Sequence, residues 1–258
     1  MGKSGAEMRG VDVGWIVGSG LATGIGGLLL LIVKRPSPRL LDALSGFTAG
    51  VMLAATAFSL LVPALELGTL PEILVGLAAG GGLFAVLDIV IPHAHGRFAE
   101  REHPLAAYLV GENRRAVMLL SALTLHNIPE GMAVGVAFAA GGPELGIPLA
   151  LAIGIQNVPE GFAAAAPLVV SEHTRPKAAG VAAITGVVEP PSAFAAFFAV
   201  GVADVLLPLG LAFAAGAMLY VIVDELIPEA HAGGNERVAT LGVLAGFMLM
   251  MGLDNAFA

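Results

Sequence analysis

His126-Asn127-Ile128-Pro129-Glu130-Gly131 and, thirty positions later, Gln156-Asn157-Val158-Pro159-Glu160-Gly161 interrupt runs of residues that otherwise suit hydrocarbon. Each hexapeptide sets a carboxylate, an amide and a helix-breaking proline in the middle of such a run. A carboxylate at the centre of a bilayer costs roughly 2.5–3.5 kcal/mol on insertion scales, so an ionisable group there is read first as part of a functional site.

The surrounding chain supports that setting. Of its 258 residues 57% are hydrophobic and only 12% charged, a balance that a water-soluble domain with a polar surface does not reach. The reading is a polytopic all-α membrane protein. Spans need about 20 apolar residues, and eight windows qualify, at 11–33, 40–62, 73–92, 115–140, 146–170, 178–200, 204–227 and 238–257. Short connectors leave one transmembrane domain over 1–258. Lys3 and Arg9 ahead of the first run superficially resemble a signal peptide, but that run is long enough to span and is read as a retained first helix. Cysteine is absent, which removes thiolate metal sites and disulfides.

Lys and Arg favour cytoplasmic loops. Alternate connectors carry Lys34, Arg35 and Arg39, then Arg97, Arg101, Arg114 and Arg115, then Arg175 and Lys177, then Arg237, and the intervening connectors carry none. Both termini are therefore expected on the extracytoplasmic side. The fourth and fifth spans share the N-x-P-E-G motif and are consecutive, so the duplication is inverted, as in many secondary transporters. Glycines crowd the first three spans and fit close helix packing.

On a helix, His126, Asn127 and Glu130 lean to one face, and Gln156, Asn157 and Glu160 do the same. Both hexapeptides sit similarly far from the connector at Gly141-Gly142, so they are expected to face each other near the midplane. Pro129 and Pro159 are expected to kink their helices and free the carbonyls of Leu125 and Ile155. Glu189, followed by Pro190 and Pro191 in the sixth span, adds a third carboxylate. With no Lys or Arg in the middle of these spans, the acids need protons or a metal to neutralise them. Imidazole with carboxylate and amide oxygens suits Zn(II), and also Cd(II), Fe(II), Mn(II) or Co(II), better than Cu(I). The donors outnumber those one tetrahedral ion uses, which points to a binuclear arrangement. A proton relay uses the same glutamates but gains nothing from Asn127, Gln156 and Asn157. A channel is a further alternative, disfavoured by tight ligands. A metalloprotease H-E-x-x-H and a serine nucleophile motif are both missing, so no enzyme is expected.

H-N-x-P-E-G in a fourth span, Q-N-x-P-E-G in a fifth, E-P in a sixth and D-E-L-I-P-E-A-H closing a seventh resemble the ZIP (Zrt/Irt-like protein) family of divalent metal transporters, and the glutamine of the second motif resembles its bacterial GufA-like branch. The resemblance covers all eight spans. It implies movement of divalent metal into the cytoplasm across the inner membrane, with His126, Asn127, Glu130, Gln156, Asn157, Glu160 and Glu189 as ligands. It also implies an elevator-like motion of spans one, four, five and six against the others, in a homodimer. Many relatives have His where this chain has Gln156. The partners expected are divalent ions, the bilayer and a second copy, with no organic cofactor and no nucleic acid.

A release path is read with less force. His93, His95 and His103 in the longest connector can catch a released ion or simply be solvated. Asp224, Glu225, Glu229 and His231 at the inner end of the seventh span can form an exit relay or serve as helix-end polar groups. Asp88 reads as a buried polar contact. Ser45, Thr48, Thr56 and Ser59 are expected to bond back to their own helix.

Overall fold

Backbone polar groups in hydrocarbon are satisfied only by helices or closed barrels, and this chain uses helices. The computed structural model describes residues 8–33, 36–90, 114–170, 174–203 and 205–257. Among the described residues every regular element is helical. Seven helical stretches are long and apolar enough to cross a membrane, as befits a multi-pass membrane protein. They are α1 (Gly10–Leu29), α2 (Pro38–Leu67), α3 (Leu70–Val90), a long stretch over Arg114–Val170, α6 (Arg175–Gly201), α7 (Leu206–His231) and α8 (Glu236–Phe257).

Eight runs are expected from the sequence, and the long stretch accounts for the difference. Its one residue with non-helical dihedrals is Gly142, at φ 59° and ψ −145°, a conformation that glycine reaches without a Cβ clash. Two helices meet there, α4 (114–141) and α5 (143–170), and they fold back on each other. The amide nitrogen of Gln156 lies 2.5 Å from Glu130, although 26 residues separate them. At 1.5 Å per residue a straight helix would hold them about 39 Å apart. The expected connector at 141–145 is thus a single residue, and Pro143 opens α5 in the first turn, where its missing N–H costs nothing.

Two other connectors are also shorter than the sequence suggests. Proline at 63 and at 228 reads as a helix end, yet α2 continues to Leu67 and α7 to His231. In each helix a wide π-helical segment, Ala55–Leu61 or Ile222–Leu226, lies directly upstream of the proline. The ring of a proline collides with the carbonyl four residues back and has no N–H to offer it. In both cases that carbonyl, of Ser59 or Asp224, falls inside the π segment, where the wider turn relieves the clash. Helical dihedrals run through Pro129 and Pro159 without interruption, so neither proline ends its helix.

α6 does break. Its first segment ends at Gly186 and a second starts at Glu189. Pro190 and Pro191 cannot bond to the preceding turn, so they occupy the first turn of a new segment and carry Glu189 into the middle of the helix.

α1 packs on α5 and α6, and α4 on α6, while α2 pairs with α8 and α3 with α7. Glycines mark the crossings. A Cβ at Gly131 or Gly135 of α4 would strike the carbonyl oxygen of Glu189 or Ala193 in α6, and one at Gly161 of α5 would strike that of Thr23 in α1. The glycine that closes each hexapeptide is therefore a point of close approach by a neighbouring helix. α2 and α8 meet in the same manner, Gly46 and Gly50 against Ala239 and Val243, as do α3 and α7 through Gly80 and Gly216. The main core joins Ile16 of α1, Met52 and Leu60 of α2, Val134 and Phe138 of α4, Leu149 and Ile153 of α5, and Leu211 and Met218 of α7. Outward side chains such as Val75, Val86, Leu241 and Met248 leave apolar faces suited to lipid.

Candidate metal centre

Helical spacing and the reversal at Gly142 bring the two hexapeptides together. His126, Asn127, Glu130, Gln156, Asn157, Glu160 and Glu189 are all buried, none more than 5% exposed. Gln156 donates its amide to Glu130 Oε1, which bridges α4 to α5. Asn157 of α5 donates to both oxygens of Glu189 in α6, at 2.8 and 3.0 Å, and to the carbonyl of Ser19 in α1, at 2.9 Å. Thr23 of α1 donates its hydroxyl to Glu189 Oε1 at 3.3 Å.

His126 points its Nδ1 at Glu225 Oε2 of α7, 2.6 Å away. A carboxylate only accepts, so Nδ1 carries the proton of this bond, and in the neutral ring Nε2 keeps the lone pair that a metal uses. Carboxylate partners of this kind orient metal-bound imidazoles and raise their basicity.

Buried polar atoms are nearly always hydrogen-bonded. Here they are not. His126 Nε2, both side-chain polar atoms of Asn127, Glu130 Oε2, Gln156 Oε1, Asn157 Oδ1 and both oxygens of Glu160 are buried without a hydrogen-bond partner. Among the described residues one further atom shares that state, Asp12 Oδ1 near the start of α1. The orphaned atoms are nearly all oxygens, with one imidazole nitrogen and one amide nitrogen among them. Burial without partners is costly for such groups, by about 1–3 kcal/mol each, unless something else supplies the missing bonds. No group of three His, Asp or Glu side chains among the described residues is arranged to hold an ion by itself. The amide oxygens of Asn127, Gln156 and Asn157 are interleaved with the acids.

The expected release residues separate. Glu225 is tied to the centre through His126. Glu229, one turn on, is exposed and within electrostatic reach of His126 and Glu160. Asp224 is exposed as well. His231 bonds through Nδ1 to the carbonyl of Ile227 in its own helix, 2.8 Å away. His93, His95 and His103 lie outside the described residues. Asp88 is half-buried and accepts from the hydroxyl of Tyr220 in α7.

Of the hydroxyl residues in α2, Thr56 bonds back to Met52 as expected, at 2.8 Å. Two others do not. Thr48 reaches the carbonyl of Gln156 in α5 at 3.4 Å, and Ser59 reaches Asp254 of α8 at 2.9 Å. Sequence reasoning also misses Ser19 and Thr23. Ser19 acts through its backbone carbonyl, whereas Thr23 leaves a faint signal as a polar residue in a mostly apolar helix, on the same face as buried Ile16.

Fold and centre together define a multi-pass helical membrane protein with a buried, partly unsatisfied polar core of nitrogen and oxygen donors. A family model described as ZIP zinc transporter matches residues 92–254. The chain is 42% identical to "Zinc transporter GufA" of Myxococcus xanthus over 245 residues, covering 92% of this chain and 94% of that protein. It is 40% identical to "Zinc transporter ZIPB" of Bordetella bronchiseptica, covering 95% and 82%, and 32% identical to "Zinc transporter ZIP11" of Homo sapiens, covering 90% and 93%. The chain belongs to the ZIP family, a family of transporters and not of enzymes, and it is GufA-like.

Proposed function

We propose that the protein carries Zn(II) into the cytoplasm through the centre between α4 and α5. The observation that carries this reading is the set of buried donors without partners, which is concentrated in the two hexapeptides. His126 Nε2, Glu130, Glu160 and the amide oxygens of Asn127, Gln156 and Asn157 hold the ion, and Glu189 supplies the third carboxylate. These are borderline and hard donors with no thiolate among them, which fits Zn(II) and extends to Cd(II), Fe(II) and Mn(II). The orphaned oxygens exceed the needs of one tetrahedral ion, and Glu130 and Glu160 have oxygens enough to bridge two. Release runs past Glu225, Asp224 and Glu229 on α7 toward His231, with His93, His95 and His103 of the intervening sequence between α3 and α4 as further acceptors.

The direction rests on basic residues. α2, α4, α6 and α8 each begin with them, at Arg39, Arg114, Arg175 and Arg237. Those starts lie on the cytoplasmic side, which sets both termini outside a bacterial inner membrane and gives eight crossings. The packing repeats in inverted order. α5 crosses α1 at Gly161 as α4 crosses α6 at Gly131, and α2 meets α8 as α7 meets α3. Such repeats suit alternating access by rigid-body motion. α1, α4, α5 and α6 form one bundle, which slides as an elevator against α2, α3, α7 and α8. The protein works as a homodimer.

Purified protein in liposomes loaded with a zinc-sensitive dye tests the reading. Added Zn(II) is expected to enter. If Zn(II), Cd(II), Mn(II) and Fe(II) all stay outside while a pH dye inside responds, the glutamates serve a proton carrier and the proposal fails.

A further inference from the structure

We infer that Thr23 of α1 is a positioning residue for the transported ion, acting through Glu189 and Asn157 to present the Asn157 amide oxygen to the site. The inference rests on the zinc-transport reading and adds a residue to it that lies outside both hexapeptides.

A side-chain amide has one donor end and one acceptor end. One terminal atom of Asn157 is surrounded by three acceptors: the Ser19 carbonyl at 2.9 Å and the two Glu189 oxygens at 2.8 and 3.0 Å. Only an NH2 group satisfies all three contacts, so that end is nitrogen and the opposite end is oxygen. Asn157 Oδ1 is buried with no partner, as are the neighbouring oxygens of Gln156 and Glu160. The direction of this oxygen is therefore set by where Glu189 stands.

Glu189 is held in turn. Its backbone lies against Gly131 of α4, and its Oε1 accepts from the Thr23 hydroxyl. Thr23 is fully buried, and its own backbone carbonyl faces Gly161, the last residue of the second hexapeptide. Its side chain touches the position where a Cβ would stand at Gly186, just before the break that places Glu189. Thr23 thus sits where α1, α5 and the broken middle of α6 meet, and its hydroxyl is the bond from α1 to the carboxylate. Without that bond Glu189 has one fewer donor fixing it, and the amide it orients gains freedom to turn its nitrogen toward the ion. A nitrogen that carries hydrogens repels a cation where an oxygen would bind it.

The test measures the zinc dissociation constant of the purified, full-length protein by competition with a fluorescent chelator. Loss of an outer partner to a metal ligand typically costs roughly 10–100-fold in affinity, and the 3.3 Å bond belongs at the weak end. Thr23→Val is expected to weaken zinc binding about tenfold with an unchanged melting profile, and Thr23→Ser to stay within about twofold of the parent. In an Asn157→Ala background the effect of Thr23→Val is expected to shrink, because the residue acts largely through that amide and only in part through Glu189 itself. Unchanged affinity in Thr23→Val overturns the inference, and so does equal weakening by Ser and Val, or a full Thr23→Val effect in the Asn157→Ala background. If Thr23→Val does not fold, Thr23→Ala against Thr23→Ser reads the same hydroxyl: a tenfold gap supports the role and equal affinities overturn it. A parent protein that binds no zinc brings down the proposed function and this inference with it, whereas normal binding with an indifferent Thr23 removes only the inference.

Discussion

Glu225→Ala removes the carboxylate that holds His126, and its cost can be worked from the contact. The bond is 2.6 Å long, with the side chains 4% and 9% exposed. Hydrogen bonds to charged groups contribute about 1.5–3 kcal/mol. At about 1.4 kcal/mol per factor of ten, the variant is expected to bind Zn(II) roughly 10–100-fold more weakly. That range coincides with the roughly 10–100-fold typical for loss of a partner to a metal-bound histidine. Glu225→Gln keeps an oxygen for the Nδ1 proton and loses only the charge, so its loss is expected to be about tenfold or less. Chelator competition on purified protein gives the dissociation constants, and zinc uptake into liposomes gives KM for the same three proteins. Wild-type zinc affinity in Glu225→Ala, with the protein folded, would refute the argument that this carboxylate prepares the imidazole.

Glu130→Ala and Glu160→Ala are each expected to abolish zinc uptake while the protein still elutes as a folded species in size-exclusion chromatography. Residual wild-type flux in either would move the site elsewhere. Gln156→His replaces an amide oxygen by an imidazole nitrogen beside Glu130, and it is expected to change the order in which Cd(II) and Mn(II) compete with Zn(II). An unchanged competition series would mean that Gln156 only braces Glu130.

Much of the fold could be read in advance from simple physics. Apolar runs too long for soluble helices marked the spans, and Gly141-Gly142-Pro143 marked the reversal that folds α5 onto α4. The seven buried polar residues that the proposal assigns to zinc could be picked out in the sequence because each is a polar group in a place where polar groups are expensive, and because one motif occurs twice. Glu225 was harder. It sits in a π-helical segment, and one extra residue in a turn rotates everything after it by about 100°, so counting along α7 does not tell which way it points. Ser19 contributes a backbone carbonyl, which leaves no trace in residue type. Thr48 and Ser59 were expected to bond within α2, as hydroxyls in apolar helices often do. They reach across instead because Gln156 and Asp254 bring acceptors to them. Pro63 and Pro228 read as ends only because the neighbouring wide turns that accommodate them have no signature of their own.

The central claim is that the orphaned donors of α4 and α5 are a zinc site. Anomalous diffraction at the zinc edge, from crystals of the protein grown with Zn(II), tests it most directly. A peak between α4 and α5, within bonding distance of His126 Nε2 and of a Glu130 or Glu160 oxygen, is the predicted result. Zinc bound only elsewhere on the protein, with His126, Glu130 and Glu160 left without metal, would contradict it.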